Sequence, residues 1–140
     1  MAILVNPANL QKLEFNVTSA EPGPFRLTIV TGTFDGAVQV NSGGGWSTNS
    51  GSFKALLDPL LAAGQFRKAT AIAALAGRSC TPGGPNTILQ WSVDDAQATW
   101  DDESGKVQLI VDATVSAQPA NAISTVTRFM FQVTTLAKIA

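Results

Sequence analysis

From Lys106 to Ala117 the chain alternates with a period of two. Val107, Leu109, Val111, Ala113 and Val115 fall on one side, and Gln108, Asp112, Thr114 and Ser116 on the other. A strand sends successive side chains to opposite faces, whereas a helix repeats every 3.6 residues, so this stretch is a strand with one face that must be covered. Its neighbours agree. Thr87 to Trp100 carries Leu89, Trp91 and Val93 on one face and then Ala96, Ala98 and Trp100. The parity changes between Val93 and Ala96, which predicts one extra residue at Asp94-Asp95, a β-bulge. Asp101-Asp102-Glu103-Ser104-Gly105 joins these two strands, with Gly105 placed to take a positive φ. Gln118-Pro119-Ala120-Asn121 turns the chain again, and Ile123 to Leu136 forms a last strand with Phe129, Phe131 and Val133 inward. The C-terminal third, Thr87 to Lys138, is thus three strands in series. The rest of the chain is material to pack against them.

A chain of 140 residues fits one domain, residues 1–140, long enough to bury a core without a disulfide or metal staple. Charged residues are only 14% of the total and the net charge is −1, so Ser, Thr, Asn and Gln clothe the outside and electrostatics oppose self-association weakly.

In the N-terminal half, residues 1–9 form an arm that docks on the protein's own core or on a neighbouring copy. Leu10 to Ser19 alternates as a half-buried strand, with Leu13, Phe15 and Val17 on one face. Glu21-Pro22-Gly23-Pro24 is a turn. Phe25 to Phe34 is a strand, Asp35-Gly36 is a two-residue hairpin signal, and Ala37 to Asn41 returns antiparallel. Residues 42–52 read as a flexible Gly/Ser/Asn loop around Trp46. Phe53, Leu56, Leu57, Leu60 and Leu61 have helical spacing over Phe53 to Ala63, with Ser52 as cap, a break at Asp58-Pro59 and Gly64 as terminator. Residues 65–78 have mixed signals and are assigned to a strand. The predicted fold is mainly β: an antiparallel two-sheet β-sandwich of about seven strands, with one short broken helix covering an open end.

Function is narrowed by absences in the composition. The chain has no His and no Tyr, which removes Ser-His and Cys-His nucleophile pairs and His-bearing zinc sites. A single Cys80 allows no internal disulfide. The 9 basic residues are scattered and build no phosphate-binding patch, so no nucleic-acid partner is expected. No apolar run reaches the ~20 residues of a membrane span, and Met1 to Leu10 makes a poor signal peptide, so the sequence predicts a soluble chain of unassigned compartment.

Three candidate sites follow. The acidic residues Asp94, Asp95, Asp101, Asp102, Glu103 and Asp112 crowd together in sequence. Of these, Asp101, Asp102 and Glu103 are the candidate metal ligands, with Ca²⁺ the ion such oxygens would take; the simpler reading is a solvated turn and no cofactor. Trp46, with Asn41 and Asn49, could stack on and hydrogen-bond a sugar; Trp91 and Trp100 take inward positions. The last strand carries little charge, which makes Arg128, Met130 and Gln132 a candidate pairing edge for another strand or subunit. The sequence therefore points to a non-enzymatic structural or protein-interaction module that assembles with itself or within a larger complex. A carbohydrate-binding module is the alternative.

Overall fold

The computed structural model describes residues 2–18 and 20–139. Eight strands follow in chain order: β1 (Ile3–Leu4), β2 (Pro7–Val17), β3 (Phe25–Asn41), β4 (Ser47–Leu57), β5 (Phe66–Thr81), β6 (Ile88–Trp100), β7 (Val107–Gln118) and β8 (Ile123–Lys138). They form two four-stranded sheets, A in the order β1-β4-β7-β6 and B in the order β2-β3-β8-β5. Neighbours run antiparallel except β1, which pairs parallel with β4. The fold is mainly β as expected, with eight strands rather than seven and no helix among the described residues.

The core lies between the inner faces of the two sheets. Sheet A contributes Phe53, Ala55 and Leu57 from β4 and Val107, Leu109, Val111, Ala113, Val115 and Ala117 from β7. Sheet B contributes Val30, Phe34, Val38 and Val40 from β3 and Val126, Phe129, Phe131 and Val133 from β8. The rings of Phe34 and Phe129 stack at 5.0 Å, and Phe53 reaches across from sheet A to within 5.8 Å of the first and 5.3 Å of the second. On the β5–β6 side the inner residues are small: Ala69, Ala71 and Ala73 on β5 and Ala96 and Ala98 on β6 pack at the margin of the core.

The broken helix expected over Phe53 to Ala63 is instead the second half of β4 and the turn after it. Phe53 and Leu57 satisfy both a helical spacing and the alternation Phe53, Ala55, Leu57, so periodicity alone does not separate the two. Tertiary pairing decides: β4 is in register with β7 from Ser47 opposite Ala117 to Leu57 opposite Val107. A helix would have buried Leu60 beside Leu57, whereas Leu60 is 68% exposed and Leu61 is the buried one, its N–H donating to the Gly105 carbonyl at 2.7 Å. The flexible loop assigned to 42–52 shrinks to a turn over 42–46 for the same reason.

The hairpin expected at Asp35-Gly36 is also absent. β3 runs unbroken for 17 residues because β8 pairs with it on both sides of that dipeptide, from Phe25 opposite Lys138 to Asn41 opposite Ile123. Gly36 and Ala37 together face the single Thr127, which makes a bulge. β5 bulges at the same level, where Gly77 opposes Arg128. A Cβ on Gly36 would lie 2.7 Å from Phe53 Cε1, so the glycine is there to admit the Phe53 ring. The bulge expected at Asp94-Asp95 is present, between Val93 and Asp95, and Gly105 has a φ of 74°.

β8 lies between β3 and β5 and is paired along both sides, so Arg128, Met130 and Gln132 are not on a pairing edge. The free edges are β1 and β6 in sheet A and β2 and β5 in sheet B. Within the chain the N-terminal arm pairs with β4: Ile3 and Leu4 stand beside Phe53 and Lys54, and the Val5 N–H donates to the Lys54 carbonyl at 2.8 Å before the chain crosses to sheet B.

Gly36→Ala is expected to destabilise the fold by about 1–3 kcal/mol through overpacking against Phe53. Gly43→Ala, which meets nothing within 4 Å, is expected to be near neutral. Urea denaturation measures both, and combining Gly36→Ala with Phe53→Leu should cost less than the sum of the single changes.

Candidate functional site

β2 is amphipathic in the reverse sense to its own sandwich. Leu13, Phe15 and Val17 stand opposite Ile29, Leu27 and Phe25 of β3. The inner face of β3 is the other set, Thr28, Val30 and Phe34, all buried. Leu13, Phe15 and Val17 therefore point away from the core, and the core-side positions of β2 are Lys12, Glu14 and Asn16. Those charges are paired locally: Lys12 Nζ lies 3.2 Å from Glu14 Oε1 and 3.9 Å from Asp58 Oδ2, and Arg26 Nη1 lies 3.5 Å from Glu14 Oε2. Inward-pointing charge on an edge strand deters unwanted strand addition along that edge. The apolar side of the strand is left on the surface.

The register carries this outer face across sheet B. Beside Leu27, Ile29 and Thr31 of β3 lie Leu136, Thr134 and Gln132 of β8, and beyond them Lys68, Thr70 and Ile72 of β5. Leu13 is 58% exposed, Phe15 49%, Ile72 66% and Met130 48%. An open groove of about 430 Å³ sinks into the same face, lined by Asn9, Thr31, Thr33, Ile72, Met130 and Gln132 among others. Asn9, at a positive φ of 54° in the β2 bulge, donates from Nδ2 to Thr33 Oγ1 at 2.9 Å and forms one wall. One end of the face is closed by Arg67, which pairs with Glu21 at 2.8 Å and lies 6.0 Å from the centroid of the buried Phe25 ring. The other end carries Asp35, which accepts from Arg128 Nε at 2.8 Å.

The outer face of sheet A is the opposite in chemistry. Thr48 and Ser116 hydroxyls meet at 3.0 Å, Ser50 and Thr114 at 3.1 Å, and Thr114 also donates to Asp94. Ser92 donates to the same carboxylate at 2.8 Å, and Gln97 donates to Asp95 at 2.6 Å. This part of the face is a hydroxyl, amide and carboxylate surface suited to water, while Leu4, Leu56 and Ile110 lie on the same side further along. On the outer side of sheet B the apolar residues gather at Leu13, Phe15, Leu27, Ile29 and Leu136, whereas scattered apolar residues elsewhere on a surface need no explanation.

The sites expected from sequence are placed as follows. Trp46 is 50% exposed on the turn between β3 and β4. Asn49 donates to the Gln39 carbonyl at 2.8 Å and accepts from the Ser50 N–H at 3.0 Å, while Asn41 accepts from Gln39 Nε2, so both amides are engaged by neighbouring residues. Trp91 is half-buried with Arg78 5.0 Å from the centroid of its ring, and its indole N–H has no partner among the described residues. Trp100 donates to the Gly105 carbonyl at 3.1 Å and locks the β6–β7 turn. Trp91 and Trp100 stand opposite Val115 and Val107, on the inner side of sheet A, while Trp46 lies on the β3–β4 turn at the far end of the sheet from Trp100.

Asp101 accepts from the Ser104 hydroxyl at 2.6 Å and from its N–H at 3.2 Å, which spends the carboxylate on the turn; Asp102 and Glu103 are exposed beside it. Among the described residues no group of three or more His, Cys, Asp or Glu could hold a metal ion. No described helix is long and apolar enough to cross a membrane. Of the proposed edge, Met130 and Gln132 lie in the groove, and Arg128 is paired with Asp35.

Leu13, Phe15, Leu27, Ile29 and Ile72 were not singled out by sequence reasoning as a surface. One signal was available: β3 is apolar at both parities, Leu27 and Ile29 against Val30 and Phe34, as in a strand covered on both faces. Compared with known protein families, with curated proteins and with solved structures, the chain matches none.

Hydrogen bonds from Ser104 hold the Asp101 carboxyl below the usual carboxylate range. A depressed folded pKa adds stability that is fully present above the unfolded value near pH ~4 and is lost as pH falls through the folded value. Asp101→Asn is therefore expected to melt below the wild type at pH 6, with the gap closing as the pH is lowered past that window. Melting temperatures across the acid range check this.

Proposed function

We propose that this chain is a structural, non-enzymatic module that works by covering the outer face of sheet B with another protein surface, in self-assembly or within a larger complex. The observation that carries this reading is the reversed amphipathicity of β2. It places Leu13, Phe15 and Val17 beside Leu27, Ile29 and Leu136 on the outer side of sheet B instead of adding them to the core. Exposing such a row to water costs roughly 25 cal/mol per Å², a cost that a partner removes. The low charge of the chain, net −1, leaves little repulsion between copies.

A carbohydrate-binding module built on Trp46 is the second reading, favoured by the half-exposed indole alone. Asn41 and Asn49 are engaged by Gln39 and Ser50 and would have to release those bonds to bind a sugar.

Sedimentation velocity over a range of protein concentrations separates the readings. The expected outcome is a concentration-dependent shift from monomer to a larger species. A monomer at every concentration, together with a Trp46-dependent signal on a glycan array, would replace the first reading with the second.

A further inference from the structure

The outer face of sheet B carries both a ridge and a groove, and their placement points to the occupant. The ridge is Leu13 and Phe15 on β2, at the level of Ile29 and Leu27. The groove is centred on β8, between Thr31 and Thr33 on one side and Ile72 and Ala74 on the other. The two features are displaced by roughly 13 Å along the strands and roughly 10 Å across them, from strand rise and spacing. We infer that the face is an isologous interface with a second copy of this chain, the Leu13–Phe15 ridge of each copy seated in the Thr31–Ile72–Met130–Gln132 groove of the other. This rests on the self-assembly reading above and specifies its geometry.

A two-fold axis exchanges two such features when it lies in the interface and bisects the line between them, so each ridge finds the other copy's groove and the contact closes. Because that line runs diagonally to the strands, the strands of the two copies cross at close to a right angle, one of the two angles at which sheets pack. Charge permits it. The groove lining carries no ionised side chain; Lys68 stands at the β5 edge in the same cross-strand row as Leu136, Leu27 and Phe15, and the Asp35–Arg128 pair lies at the opposite end. Size permits it too. Four strands about 4.8 Å apart and about eight residues long project roughly 500 Å² before side-chain relief is counted, the same order as the ~800 Å² per partner of a standard interface.

The test uses exposed positions, so that folding is preserved, in a Cys80→Ser background because Cys80 is itself exposed. Phe15→Lys is expected to weaken association about 100-fold, as loss of a central aromatic anchor does. Phe15→Lys combined with Gln132→Glu in one chain should recover most of it. In a second arm, Phe15→Cys chains mixed with Ile72→Cys chains should give the mixed disulfide in excess over either homodisulfide, a result that does not depend on the lysine variant folding. Association unchanged by Phe15→Lys, or a homodisulfide between two Phe15→Cys chains as the main product, would overturn this geometry while leaving self-assembly standing. A wild-type monomer at all concentrations would overturn both, and open-ended oligomers in place of a dimer would overturn the two-fold.

Discussion

The insertion of Phe53 between the sheets is the contact on which the rest of the sandwich depends. It is the aromatic ring of sheet A that reaches the stacked Phe34–Phe129 pair of sheet B, and it can do so only because Gly36 and Gly51 leave room for it. A Cβ on Gly51 would meet Val38 at 2.6 Å and Phe53 at 3.4 Å. Aromatic contacts of this kind add directional energy to the burial of area. Here they also set which faces of β3, β4 and β8 look inward. Once Phe34 and Phe129 are committed to Phe53, Val30 and Val133 follow by alternation. Leu27, Ile29, Gln132 and Leu136 are then sent to the outside.

That choice makes the two outer faces unequal. Sheet A ends in hydroxyls and amides that bond one another and Asp94 and Asp95, a surface at rest in water. Sheet B ends in Leu, Ile, Phe and Met side chains interspersed with Thr31, Thr70, Thr134 and Gln132, with Asn9 bonded to Thr33 at the side. The edge strand β2 shows how the conflict is handled. Its charges point toward the core side and pair with Arg26 and Asp58, which guards the edge, and its apolar side extends the outer face of the sheet. Edge protection and face exposure are served by one strand of a single alternating pattern.

How much of this was legible in the sequence varied with how local the deciding force is. The strand Val107–Gln118, the bulge at Asp94-Asp95, the turn at Asp101 to Gly105 and the φ of Gly105 were all readable, because alternation, a parity slip and glycine's conformational freedom act within a few residues. Phe53 to Leu57 was misread because 53, 55, 57 and 53, 57 satisfy two periods at once, and only β7 selects between them. Asp35-Gly36 was misread because the dipeptide that favours a tight turn also suits a bulge, and only the pairing of β8 on both sides of it tells them apart. The exposed face was visible as alternation in Leu13–Val17, but alternation names two faces without saying which one is buried. Arg128, Met130 and Gln132 were read as a pairing edge from the low charge of their strand, but low charge says nothing about a strand's position in the sheet, and β8 is an inner strand.

The sequence by itself determined that the chain is a β-protein with an alternating C-terminal third, that it lacks the imidazole on which much neutral-pH catalysis rests, and that its charge is sparse, with a net value of −1. These are properties of composition and of neighbours along the chain. The tertiary structure alone decided the sheet order, the burial of β8 between β3 and β5, the strand in place of a helix at Phe53, and the outward turn of the β2 apolar side. Each of those depends on partners such as Phe53 and Phe129, or Leu57 and Val107, that lie tens of residues apart, and the energy that selects among locally equivalent options is available only when such residues meet.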